Sequence, residues 1–158
     1  MYFMSPLKVV FICTGNTCRS PMAAAMATQI FTDAGLAAEV TSAGVSAFNN
    51  QPASHHAVKV MGDGGLCLLS HRAALVSAAM LEAATLVLTM TGSHRAVLHS
   101  DYPAHKGKTF TLAEYVGNDI NIADPFGGSE DEYRACAAQI RSLLALAAKK
   151  LCEDIGEN

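Results

Sequence analysis

Val9-Val10-Phe11-Ile12-Cys13-Thr14-Gly15-Asn16-Thr17-Cys18-Arg19-Ser20-Pro21 compresses a change of secondary structure into one short stretch. Four apolar residues lead in as a buried strand, and an alanine-rich run of helical composition follows. Between them lies a glycine turn. Ser20-Pro21 reads as a helix start, a hydroxyl cap followed by proline at the first helical position. Gly15 permits the backbone to curl toward a ligand. Such a junction aims backbone N–H groups and the positive end of a helix at one point, here the Cys13 thiol. Sulfur placed there is favoured as thiolate and faces a ready anion pocket. Arg19 adds a planar, permanently charged fork that suits two oxygens of a phosphate. The Cys-x5-Arg spacing alone is a weak signal; the strand, turn and cap around it make it specific. Nucleophile, cradle and clamp together point to phosphoryl transfer through a covalent thiol intermediate.

Outward from this junction, strands and helices alternate. Lys8–Ile12 reads as the first strand. Ser20 to about Ala34 reads as a helix with Met22, Met26 and Ile30 on one face and Gly35 as its stop. Glu39–Ser42 is a second strand ending at Gly44. Pro52–Met61 reads as helical, broken by Gly62-Asp63-Gly64-Gly65. Ser77–Glu82 is a short helix, Ala84–Met90 a third buried strand, Gly92–His99 a helix, and Lys108–Leu112 a fourth strand. The last helix is the clearest element. Ser129 and Glu132 form a capping box, and Tyr133, Cys136, Ile140, Leu143, Leu144, Ala147 and Leu151 mark an apolar stripe. The alternation predicts an α/β fold, a parallel sheet covered on both faces, with ligands bound beyond the carboxyl ends of the strands. Cys13, Met90 and Asp124 would project there.

The chain has 158 residues, half of them apolar, which fits one domain over 1–158 with a real core. Residues 1–6 read as a disordered N-terminal extension. A net charge of −3 with no basic cluster beyond Lys106, Lys108 and Lys149-Lys150 argues against nucleic acid. No apolar run reaches membrane-spanning length, and residues 1–6 lack the features of a signal peptide, so a cytoplasmic protein is expected. The five cysteines (13, 18, 67, 136, 152) form no Cys-x2-Cys pair, and the six histidines are scattered. Neither a metal nor a cofactor is expected. His55, His56, His94, His99 and His105 read as surface or loop residues.

Val10 to Pro21 resembles the phosphate loop of low-molecular-weight protein tyrosine phosphatases. The resemblance continues through Thr41-Ser42-Ala43-Gly44-Val45, Ser70-His71-Arg72-Ala73, Ala84 to Thr91, Phe110 to Val116 and Asp124-Pro125-Phe126-Gly127-Gly128-Ser129, nearly the whole chain. Thr17 and the Asp124–Ser129 run are most similar to the bacterial protein arginine phosphatase branch. The resemblance implies a four-stranded, flavodoxin-like single domain. It implies Cys13 as nucleophile, Arg19 as phosphate clamp and Asp124 as general acid and then base, where spacing alone does not choose Asp124 over Asp119, Asp101 or Glu114. Thr14, Gly15, Asn16, Thr17, Cys18 and Ser20 complete the phosphate-binding loop. The Ser20 hydroxyl would stabilise the thiolate as well as cap the helix. Ser42 and His71, with Asn16, would brace the loop from behind. Cys18 either packs as a small buried residue or traps oxidised Cys13 as a disulfide.

Substrate choice falls to Thr17 and Phe126. The related tyrosine phosphatases usually carry a bulkier aliphatic residue at the Thr17 position, and often two aromatics where this chain has Phe126 followed by glycine. Tyr133 lies on the apolar stripe and reads as packing before it reads as a pocket wall. The leading expectation is a phosphatase for phosphoarginine in proteins, with phosphorylated proteins and free oxyanions as its ligands. The alternatives are a phosphotyrosine phosphatase of the same fold, a thiol-dependent arsenate reductase, and a silent anion-binding module.

Overall fold

Val9 and Phe11 point to one side of the first strand, β1 (Leu7–Cys13), and Val10 and Ile12 to the other. All four are buried. That is the pattern of a strand covered on both faces. In the computed structural model, which describes residues 6–156, β1 is accordingly an inner strand. The extension expected at 1–6 lies outside the described residues except for Pro6. β2 (Ala38–Gly44), β3 (Leu86–Thr89) and β4 (Thr109–Thr111) complete a sheet of order β2-β1-β3-β4. All its pairs are parallel, with Cys13 opposite Gly44 and Ile12 opposite Thr89. The chain leaves β1 toward one edge and returns through β3 on the other side. The diverging connections open a crevice at the carboxyl ends of β1 and β3.

Helices fill both faces, as the alternation predicts. α1 (Arg19–Asp33), α2 (His55–Asp63), α5 (Leu112–Tyr115) and α6 (Glu130–Gly156) bury their apolar residues with Val9, Phe11 and Leu88. On the other face, α3 (Ala78–Ala83) supplies Leu81 and α4 (Gly92–Asp101) supplies Leu98 against Val10, Ile12 and Val87. Every residue of the expected α6 stripe is buried. Each of its fully covered Leu and Ile side chains contributes about 1.5–3 kcal/mol. The Ser129 hydroxyl accepts the Glu132 N–H at 3.2 Å, one half of the expected capping box. α1 stops as expected: Gly35 has φ +78°, and the N–H groups of Gly35 and Leu36 return to Thr32 and Phe31 carbonyls at 3.0 and 2.9 Å.

Four details differ from the sequence reading. Phe31, not Ile30, takes the third core position of α1. α2 begins at His55 rather than Pro52, because the preceding backbone is already engaged. Ser54 N–H donates to the Thr17 carbonyl at 2.9 Å, and the Gln51 carbonyl accepts Ala73 N–H at 2.7 Å. A 3₁₀ segment, Pro103–Lys108, precedes β4, and α5 follows it at once, capped by Thr111 accepting Glu114 N–H. Met90 is a core residue at the end of β3 and does not face the crevice.

Candidate active site

The segment from Cys13 to Arg19 wraps the carboxyl end of β1 and enters α1. No backbone carbonyl among the described residues accepts from the N–H groups of Gly15, Asn16, Thr17, Cys18 or Arg19. With Cys13, the residues Gly15, Thr17, Cys18 and Arg19 line a cavity of about 530 Å³ at the positive end of α1. The turn's left-handed residue is Asn16, at φ +56°, and not Gly15. Asparagine tolerates that region better than most residues. A Cβ on Gly15 would meet only Thr17 Oγ1, at 3.8 Å. The glycine the loop needs is Gly44 on β2. A Cβ there would stand 3.0 Å from Asn16 N and closer still to the Thr14 carbonyl oxygen.

Ser20 does not cap α1. The cap position is Cys18, with no side-chain bond, and the helix is already under way at Arg19. The Ser20 hydroxyl instead turns inward, 2.9 Å from Cys13 Sγ. Its proton has two possible acceptors, that sulfur and the Ala43 carbonyl at 3.4 Å, and the sulfur is nearer. Asn16 Nδ2 donates to Ser20 Oγ at 2.8 Å, filling one lone pair and leaving the hydroxyl proton for Cys13. The same Nδ2 donates to Ser42 Oγ at 2.9 Å, while Asn16 Oδ1 accepts Ala74 N–H at 2.9 Å. That last bond fixes which way the amide faces. His71 Nε2 lies 2.8 Å from the Asn16 carbonyl, which can only accept, so Nε2 carries the proton. Asn16, Ser20, Ser42 and His71 are thus brought together behind the loop. Asn16 and Ser20 are wholly buried.

Arg19 is buried with one edge tied down. Nη1 donates to the Ile122 carbonyl at 2.9 Å, and Nη2 reaches Thr14 Oγ1 at 3.4 Å and Asp124 Oδ2 at 3.5 Å. Asp124 therefore stands over the cavity within reach of the clamp, its side chain half exposed. Its Oδ1 accepts the Phe126 N–H at 3.1 Å, an Asx turn that holds the loop's local shape. Thr17 and Phe126 line the cavity, Phe126 with 73% of its surface exposed. Tyr133 is not a wall. It is buried, its ring 5.3 Å from His56 and its hydroxyl 3.2 Å from Cys18 Sγ, and burial pushes its phenol up to about 12. Cys18 Sγ also donates to Ser54 Oγ at 3.4 Å, and all five thiols are free.

Several residues at the site were not found in the sequence. Phe48, 75% exposed, and Gln51 line the cavity from the loop after β2. Nothing local marks them, because the turn that carries them is shaped by pairing with residues 73–75. His94 is the clearer correction. Read as a surface or loop residue, it is 5% exposed, with Nε2 2.8 Å from Thr14 Oγ1 and Nδ1 3.1 Å from Thr91 Oγ1. Burial, and then the charge of Arg19, lower its pKa to about 4. A sequence signal existed: Thr91 three residues earlier is a helix cap, which sets His94 in a first turn at the carboxyl end of β3.

The sequence model described as low molecular weight phosphotyrosine protein phosphatase matches residues 8–157. The chain is 40% identical to a protein-arginine-phosphatase of Bacillus subtilis, covering 94% of this chain and 99% of the relative. It is 35% identical to the low molecular weight protein-tyrosine-phosphatase PtpB of Staphylococcus haemolyticus, covering 87% and 95%. Among solved structures, a Cys-to-Ser mutant of the arginine phosphatase YwlE with a phosphorylated active-site serine superposes with a TM-score of 0.91. It shares 40% identity and covers 94% of this chain and 97% of its own. The chain belongs to the low molecular weight phosphotyrosine protein phosphatase family.

Proposed function

We propose that this chain is a cysteine-dependent protein phosphatase that acts on phosphoarginine. The Cys13 thiolate attacks phosphorus, and the P–N bond to the guanidine breaks. Asp124 gives its proton to the departing nitrogen, and the phosphoryl group rests on sulfur. Asp124, now a carboxylate, takes a proton from water. That water attacks phosphorus, the S–P bond breaks, and inorganic phosphate leaves with Cys13 restored. Arg19 and the loop N–H groups hold the equatorial oxygens as charge builds on them. The phosphorylated serine of the YwlE mutant supports a covalent phosphoenzyme. Cys18 fits the further role of capturing oxidised Cys13. The cytoplasm suits a chain in which, among the described residues, no helix is long and apolar enough to cross a membrane.

The observation that carries the arginine reading is the Thr17 hydroxyl. Thr17 lines the cavity, and among the described residues its hydroxyl contacts the Cys18 sulfur at 3.7 Å, which leaves it capacity to accept from a ligand. A guanidinium is planar and rich in donors, and Thr17 with Asp124 offers two acceptors. An aliphatic side chain there would leave donors unpaired at a cost of about 1–3 kcal/mol. The relatives named protein-arginine-phosphatase give independent support. Phosphotyrosine is the second reading, favoured by the exposed Phe48 and Phe126, which can flank a ring. Arsenate reduction would need a pair of redox cysteines in a mobile segment outside the phosphate loop, and Cys136 and Cys152 both lie within α6. Cys152 faces the Ala34 carbonyl at the far end of α1, about 22 Å of helix away. Thr17→Ile tests the arginine reading. Activity on phosphoarginine should fall about tenfold or more while activity on phosphotyrosine rises. If both fall together, Thr17 shapes the loop and selects nothing.

A further inference from the structure

His94 is a buried titratable side chain beside the phosphate loop that the chemistry above leaves unused. Its two ring nitrogens reach hydroxyls on two separate segments, Thr91 at the cap of α4 and Thr14 in the phosphate loop. Thr14 is exposed and lines the cavity, so without a tether its side chain would be free to change rotamer. With the tether, Thr14 Oγ1 stands beside Arg19 Nη2, which in turn stands beside Asp124 Oδ2.

We propose that His94 is a positioning residue that orients the Thr14 hydroxyl, so that Thr14 donates its proton to the phosphoryl group held in the loop. The proton count supports this direction. The backbone N–H of His94 donates to Thr91 Oγ1 at 3.4 Å, which fills one of its lone pairs and leaves its proton able to go to His94 Nδ1. Nε2 then carries the ring proton and donates to Thr14 Oγ1, which also accepts from Arg19 Nη2. With both lone pairs filled, the Thr14 hydroxyl keeps one capacity, its own proton, and the cavity is where that proton can go. The groups facing the imidazole are Arg19 from α1 and Asp124 from the acid loop. Burial and the Arg19 charge keep the ring neutral at working pH, so it holds Thr14 without competing for the anion. This inference rests on phosphoryl transfer by the site and not on arginine as the substrate.

The two amide variants separate the ring nitrogens. His94→Gln extends an amide to the place of Nε2, whereas His94→Asn stops near Nδ1 and loses Thr14. With p-nitrophenyl phosphate as substrate and orthovanadate as inhibitor, His94→Asn should lose about tenfold in both kcat/KM and vanadate affinity, and His94→Gln less than about threefold. In a Thr14→Val background the His94→Asn loss should vanish. Nitrogen-15 shifts of the wild-type ring with vanadate bound need no variant to fold. They should show a protonated Nε2 and a bare Nδ1. Vanadate affinity unchanged in His94→Asn, losses in both variants that track melting temperature, an undiminished loss in the Thr14→Val background, or the opposite tautomer would each overturn the proposal.

Discussion

The two walls of the cavity are built differently. Behind the phosphate loop, the Asn16 side chain makes three hydrogen bonds with no exposed surface, and the serine beneath Cys13 has one orientation that satisfies its neighbours. Across the cavity, Asp124 is half exposed, and its carboxylate contacts are the N–H two residues along and the Arg19 edge at 3.5 Å. The first wall keeps its donors aimed before any ligand arrives, so little reorganisation is left for the reacting state. The second has few buried contacts, which is the character of a segment that moves at low cost. The proposed mechanism thus asks the rigid wall to hold phosphate and the adaptable one to move the proton.

Substitutions on either wall break this division in distinct ways. Asp124→Asn should slow turnover of a peptide substrate by about a hundredfold or more. Vanadate affinity should stay near wild type, because the rigid wall is untouched. Nitrophenyl phosphate, whose leaving group needs no proton, should suffer less in the first step. A fully active Asp124→Asn would assign the acid to another residue. On the rigid wall, Ser20→Ala should slow iodoacetamide alkylation of Cys13 near neutral pH by about tenfold or more, because the hydroxyl 2.9 Å from Cys13 Sγ is lost. In wild type, Cys13 should label first and be protected by phosphate. Cys136, whose thiol burial pushes up to about 12, should label last. Equal labelling of all five cysteines, indifferent to phosphate, would remove the nucleophile assignment.

The smallest effect is on stability. Unfolded, the His94 imidazole takes up a proton below its ordinary 6.5, but folded only below about 4. Between those values the unfolded chain binds more protons, so lowering the pH through that window destabilises the fold. Urea unfolding of wild type and His94→Gln should run parallel above pH 7 and diverge below it, with wild type falling faster. Parallel curves down to pH 4 would mean that the ring is not desolvated as described.

How much could be read from the chain follows the same division. β1, the phosphate loop and the α6 stripe were legible because their signals are local: an apolar run, a turn with a charged fork, a helical period. The start of α2 was not, since residues 51–54 are held out of the helix by bonds to Thr17 and Ala73 that only the tertiary fold creates. Ser20 was legible as a hydroxyl next to proline, but its inward turn depends on Asn16, whose left-handed backbone no pattern announces. His94 follows β3 and Phe48 follows β2, and their approach to the phosphate loop appears only when both strands are laid beside β1.

The most direct measurement of the central claim is kcat/KM for a phosphoarginine peptide and a phosphotyrosine peptide of otherwise identical sequence, with Cys13→Ser as the blank. Wild type should hydrolyse phosphoarginine about tenfold or more faster, and the blank should hydrolyse neither. A wild-type preference for phosphotyrosine would contradict the reading of Thr17, and turnover by Cys13→Ser would contradict the mechanism itself.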